Sequence, residues 1–245
     1  AWFVRDPVYI DRRGFANPEK EERASRGPFS DKASLVIRAL IEADAPEGTR
    51  RIAEKTGLSP GYVSKITHEL ERRGYLARTR MGVAVRHPGD LLKEWVFAYR
   101  KRRRPRGGSY FVSTPDADRL VGRLAQTRAA ESDDYVLTLH AGAGLVDRYA
   151  DFDTVDLYVR DVDVGAAIAR ELDGRPVDRG ANLMLSVPHY RVSAFYGKRR
   201  IGGLWVASDL QLYLDLYDYP LRGREQAEHL FERRLLPIFE ARGGL

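Results

Sequence analysis

Between residues 53 and 76 the chain reads AEKTGLSPGYVSKITHELERRGYL, a stretch whose local signals leave little freedom in how it folds. Thr49 is placed to cap a short helix over Arg50 to Thr56, and Gly57 suits the left-handed position just past its end. Ser59 is placed to cap the next helix, with Pro60 at its first position, where no backbone donor is lost. That helix is expected to run to Arg73 and to stop at Gly74. Val63, Ile66 and Leu70 recur three and four residues apart and so share a face. The opposite face carries Gly61, Ser64, Lys65, His68 and Arg72.

A further helix is expected upstream, from near Ser30 to about Asp44, with Leu35, Val36, Ala39 and Leu40 on one side; Ala45-Pro46-Glu47-Gly48 breaks it. Ala53 is small where two helices would touch, Gly57 supplies a tight turn, and Val63 buries the second helix against the first. Together they make the helix-turn-helix pattern. Short polar and cationic groups on the free face suit base edges and phosphates of a major groove. The same face would also serve as the solvated side of a small three-helix core.

Downstream, YLARTRMGVAVRH (Tyr75 to His87) alternates on both sides of Met81-Gly82, as a hairpin does. Leu76, Val83 and Val85 are expected inside, and Arg78, Arg80 and Arg86 outside. With this hairpin as a wing, residues 30–88 resemble the winged helix-turn-helix of many bacterial and archaeal transcription regulators. The resemblance implies double-stranded DNA as partner, with Ser59, Gly61, Tyr62, Ser64, Lys65, His68, Arg72 and the wing residues Arg78, Arg80 and Arg86 as candidate contacts. Some winged helices bind proteins instead, and an adaptor role is the competing use of this fold.

Charge is distributed to match. Residues 1–108 carry a net charge of +10 and residues 109–245 a net of −4, which together give +6. Only the first half suits a polyanion. An amphipathic helix on Leu91, Leu92, Trp95, Val96 and Tyr99 runs into Arg100 to Arg104, then Pro105, Arg106 and two glycines. Arg102, Arg103 and Arg104 are expected on phosphates, the alternative being a solvated linker. The expected organisation is an N-terminal arm (1–29), a winged helix-turn-helix with its following helix (30–99), a basic linker (100–108) and a C-terminal domain (109–245). Because the core of the winged helix (Leu35, Ile52, Val63, Ile66, Leu70) lies upstream of residue 109, it is expected to fold without the C-terminal domain.

From Ser109 strand-like runs (110–113, 135–139, 154–159, 183–187) alternate with helical ones (116–128, 145–149, 164–172), so the fold class is α+β with a C-terminal α/β domain. Ser208 is placed to cap DLQLYLDLYDY, which is apolar on nearly every side and is expected to be buried. VLTLHAGAGLVDRYADFDTVDLYV resembles the opening of a nucleotidyltransferase fold: strand, glycine-containing turn, helix, acidic strand. SDLQLYLDLYDYPLRGREQAEHL resembles the end of the AbiEi family, antitoxins that join a winged helix-turn-helix to a nucleotidyltransferase-like domain. That resemblance implies an autorepressor-type regulator whose second domain dimerises or contacts a toxin-like protein.

An enzyme is not expected. Two-metal phosphoryl transfer needs clustered carboxylates, such as an Asp-x-Asp pair on one strand face. Here the strand reads Thr154-Val155-Asp156-Leu157-Tyr158, with a tyrosine at the second carboxylate position, and the HAGAG turn lacks a phosphate-binding serine. An active transferase targeted by its winged helix is the alternative. No metal or cofactor is expected, since the histidines at 68, 87, 140, 189 and 229 lack ligand spacing and cysteine is absent. His140 is expected as a hydrogen-bonded core residue. No apolar run reaches the length of a membrane span, so no membrane is expected as partner and the cytoplasm is the expected location.

Overall fold

A computed structural model describes residues 27–43, 45–100 and 107–241 in full, and residues 3–5, 8–10 and 106 as backbone. Of the arm, strands β1 (Phe3–Arg5) and β2 (Val8–Ile10) pair antiparallel, with Val4 opposite Tyr9. The remainder of the arm up to residue 26 lies outside the described residues, as do residues 101–105 and with them Arg102, Arg103 and Arg104.

The first unit has the expected helices α1 (Asp31–Glu42), α2 (Thr49–Thr56) and α3 (Pro60–Arg72), followed by the hairpin β3 (Leu76–Thr79) and β4 (Gly82–Val85) and by α4 (Pro88–Arg100). Gly57 takes the left-handed turn between α2 and α3, at φ +68°. One cap differs: Gly48 holds the position before α2, and Thr49 is the first helical residue.

The second unit is a seven-stranded mixed sheet among the described residues, in the order β10-β11-β6-β7-β9-β5-β8. Its strands are β5 (Arg106–Phe111), β6 (Tyr135–Thr138), β7 (Val155–Val159), β8 (Arg175–Pro176), β9 (Leu183–Val187), β10 (Arg199–Ile201) and β11 (Leu204–Val206). The chain is thus α+β. Helices α5 (Ala117–Leu124) and α7 (Val162–Glu171) cover one sheet face, with Leu120, Leu124, Ile168, Leu157 and Leu185 in that core. The other face meets α6 (Leu139–Val146) and α8 (Asp209–Leu216). Ser208 caps α8 as expected, accepting from the Gln211 N–H (3.3 Å), and α8 is buried from Leu210 to Leu214. The chain continues through α9 (Gly223–Leu230), a wider turn over Phe231–Leu235 and α10 (Leu236–Glu240). Among the described residues no helix is long and apolar enough to cross a membrane.

Three sequence expectations are corrected. The HAGAG segment is not a turn but lies inside α6, and the helix expected over 145–149 ends at Val146. Leu139, at φ +50°, turns the chain sharply out of β6. Gly142 then rides so close to that strand that a Cβ would sit 2.8 Å from the Leu137 carbonyl oxygen. Gly142 thus serves close helix–strand packing, while Gly144 lies against the Phe152 ring. The expected helix over 116–128 stops at Leu124, and a short tight turn over Arg128–Glu131 follows.

The largest departure concerns α1, expected to bury one face and in fact buried continuously from Ala33 to Ile41. Its second face packs on the C-terminal half. Ser34 Oγ donates to Ser193 Oγ (2.9 Å), and the Asp31 carboxylate accepts from the Ser193 N–H (2.8 Å). Arg38, with no exposed surface, donates to Gln211 Oε1 (2.6 Å) and Ser208 Oγ (3.3 Å) and lies over the Trp95 ring. One apolar core therefore runs from Ile37 and Leu70 through Trp95 to Leu212 and Phe239. The core of the winged helix does not lie entirely upstream of residue 109.

Candidate nucleic-acid interface

Helix α3 is fixed at both ends before anything binds to it. At its start Ser59 Oγ accepts from the Tyr62 N–H (3.3 Å) with Pro60 at the first position. At its end Gly74, at φ +82°, lets the Tyr75 N–H reach back to the Leu70 carbonyl (3.0 Å), which satisfies a carbonyl left over by the last turn. Val63, Ile66 and Leu70 are buried, and so is Thr67, whose hydroxyl donates to the Ser64 carbonyl (3.1 Å). Ser59, Gly61, Ser64, Lys65, His68 and Arg72 are all exposed and Tyr62 is half-buried, as their spacing predicts.

The cations of this surface fall into two sets. Glu69 takes Arg72 Nη2 on one oxygen (2.9 Å) and Arg73 Nε on the other (2.8 Å). The Arg73 hydrogen bond first, then Arg72, hold the Glu69 carboxyl below the usual carboxylate range. Arg78 Nη2 is likewise held by Glu71 Oε2 (3.0 Å). Lys65, His68, Arg80 and Arg86 make no side-chain hydrogen bond or ion pair with described residues. With respect to the described residues, these four are open to an external anion. Beside α3 an open groove of about 510 Å³ is lined by Lys65, His68, Arg72 and Arg73 on one side and by Gly27 and Pro28 on the other.

The wing is stitched to the rest of the unit. Val83 exchanges backbone hydrogen bonds with Glu47 in the loop before α2 (3.0 and 2.9 Å), so the hairpin gains a third strand-like member. That approach requires Gly82, where a Cβ would lie 2.2 Å from the Glu47 carbonyl carbon. Leu76 and Val83 point inward and Val85 is half-buried, while Arg78, Arg80 and Arg86 are exposed. If Arg80 and Arg86 each neutralise one phosphate, replacing both by alanine flattens the slope of log K against log[salt] by about 2. An unchanged slope in a binding titration at several salt concentrations would show that the wing does not meet the backbone.

The C-terminal half holds a second concentration of polar groups, on the sheet face that meets α8. Asp215, not singled out by the sequence, accepts from Tyr99 OH (2.5 Å), Thr138 Oγ1 (2.6 Å), Gln211 Nε2 (2.8 Å) and Tyr158 OH (2.9 Å). Burial pushes its carboxyl up, against the pull of these hydrogen bonds, and raises Tyr99 and Tyr158 well above the ordinary tyrosine value. Asp156 stands nearby on β7. Burial pushes its carboxyl up to about 6, the hydrogen bond from Thr154 opposes this, and the Asp215 charge adds to it. Tyr158, at the position where a second strand carboxylate would stand, is a donor to Asp215. Among the described residues no group of three His, Asp or Glu is placed to hold a metal ion. His140 is buried, its neutral form favoured by that burial, and its ring meets Tyr219 edge-on at 5.6 Å between centroids. Neither ring nitrogen meets a partner at ideal hydrogen-bond geometry, but a hydrogen bond to the Leu221 backbone works against the effect of burial, so the ring is a core residue held by the main chain.

Lys198-Arg199-Arg200 leads into a hairpin, β10–β11, in which Arg199 and Arg200 lie on the strand and Gly202-Gly203 forms the turn. Its cations are occupied: Lys198 and Arg200 lie over Trp205, and Arg199 pairs with Asp209.

No curated protein and no solved structure matches the chain. Residues 31–80, which span α1 to the tip of the wing, match the family model of the IclR helix-turn-helix domain, and with the geometry above this makes the N-terminal unit a helix-turn-helix DNA-binding domain of the kind found in transcriptional regulators.

Proposed function

We propose that the protein is a sequence-specific regulator of transcription on double-stranded DNA, with α3 in the major groove and the basic wing on the backbone or minor groove. The observation that carries this is the row Ser64, Lys65 and His68: exposed, without partners inside the described protein, and mounted on a helix held at both ends. A recognition helix contacts base edges from its outer face, and this row lies along the middle of that face of α3. Lys65→Ala is expected to weaken binding to the selected sequence by roughly 1–3 kcal/mol and to leave random DNA nearly unaffected. A titration of both duplexes checks this. Equal loss on the two would make Lys65 a phosphate contact and remove its role in reading sequence.

Within this reading the protein is an autorepressor of the AbiEi antitoxin type, and the C-terminal half is a non-catalytic, nucleotidyltransferase-like unit for dimerisation or a toxin-like partner. In support, the Asp215 oxygens are taken by four donors, which leaves Asp156 without a second open carboxylate. The protein's own upstream region is the natural first probe. Magnesium-dependent incorporation of labelled nucleotide, lost in Asp156→Asn, would overturn the non-catalytic assignment.

A further inference from the structure

We propose that the protein kinks the duplex it binds, with Met81 as an apolar wedge at the tip of the wing. The inference rests on the DNA-binding reading above and extends it from contact to deformation. Met81 is 74% exposed, at the two-residue turn between β3 and β4. Its immediate neighbour Arg80 and, further back, Arg86 are exposed cations without partners among the described residues. An apolar tip flanked by the Arg80 cation, with Arg86 at the base of the same hairpin, matches a surface that is anionic at its rim and stackable within. A minor groove opened between two base pairs has that chemistry, and methionine is among the side chains that enter such steps.

A wedge must also be stiff, because a floppy tip would fold back instead of prising bases apart. The turn is held from within by Thr79, whose Oγ1 donates to the Gly82 carbonyl (3.0 Å) and accepts from the Met81 N–H (3.2 Å). It is held from behind by the paired backbones of Val83 and Glu47 and by the Arg78–Glu71 ion pair (3.0 Å). Met81 thus projects from a braced hairpin. Its presence at the tip would favour sites with a pyrimidine–purine step beneath the wing, since those steps unstack most cheaply.

The test uses the full chain and a duplex that it selects from a randomised pool. The step under the wing is located by footprinting and labelled with 2-aminopurine. The wild-type complex should show raised 2-aminopurine fluorescence and a bend in circularly permuted fragments. Met81→Leu should keep both. Met81→Ala should lower affinity for the selected duplex about tenfold, through the lost burial of the thioether chain, and should straighten the complex. Met81→Lys should straighten it too while gaining a charge, which separates wedge from electrostatics. Met81→Ala complexes as bent and as fluorescent as wild type overturn the wedge, and so does a tight but straight wild-type complex; either leaves the DNA-binding reading standing. Wild-type protein that selects no duplex overturns that reading itself, and the wedge with it.

Discussion

Arg38→Ala is expected to cost about 3–5 kcal/mol of stability, measured by urea unfolding, and to loosen both halves of the molecule together. The side chain has no exposed surface, so its removal leaves a hole between α1, Trp95 and α8 that solvent does not reach. It also strips Gln211 Oε1 of its 2.6 Å donor, and an orphaned buried acceptor carries its own penalty. Burial already pulls the guanidinium below its ordinary value, and the neighbouring Tyr99, Glu42 and Asp215 offset only part of that desolvation cost. Arg38→Met separates the two contributions: it refills the hole without the hydrogen bonds, and should recover about half of the loss. A loss under about 1 kcal/mol in Arg38→Ala would mean that the two halves do not depend on this contact.

The second large effect is on pH dependence. The folded protein raises the Asp156 carboxyl from 3.8 to about 6, chiefly through burial. Folding therefore binds a proton more tightly than the unfolded chain does, and the stability from this group is fully present below about pH 3.8. It falls as pH rises to about 6, by up to about 3 kcal/mol, and stays lost above that. Asp156→Asn removes the ionisation, so the variant should be the more stable protein at pH 7.5 and should converge on wild type near pH 4. The groups facing Asp156, namely Thr154, Asp215 and Tyr219, remain in both proteins. A difference between variant and wild type that is flat from pH 4 to 7.5 would show that Asp156 is not buried as described.

What could be read from the sequence is what has its cause within a few residues. Ser59 caps α3 through the third residue on, Gly57 and Gly74 take left-handed turns next to the helices they end, and the wing alternates along its own strands. The exposed row on α3 follows from helical spacing alone. What could not be read depends on partners far along the chain. Arg38 meets Gln211 across 173 residues and Ser34 meets Ser193 across 159, so nothing local marks α1 as buried on both sides. Asp215 likewise has no role readable in a segment that is apolar on nearly every side until Tyr99, Thr138 and Tyr158 converge on it. Gly142 was read as a turn because its use depends on the Leu137 carbonyl lying against it.

The double-sided burial of α1 bears on how such proteins can be recombined. A reading head joined to its body only through a tether could be exchanged like a cartridge. Here the first helix of the head is also a structural member of the body, tied to it by Asp31, Ser34 and Arg38. A transplanted head would bring its own recognition surface yet arrive without these three side chains, so a chimera spliced at residue 105 inherits an unfilled socket opposite Ser193, Ser208 and Gln211. Specificity in this scaffold is therefore best redesigned by rewriting the outer face of α3 in place, leaving α1 as the body requires it.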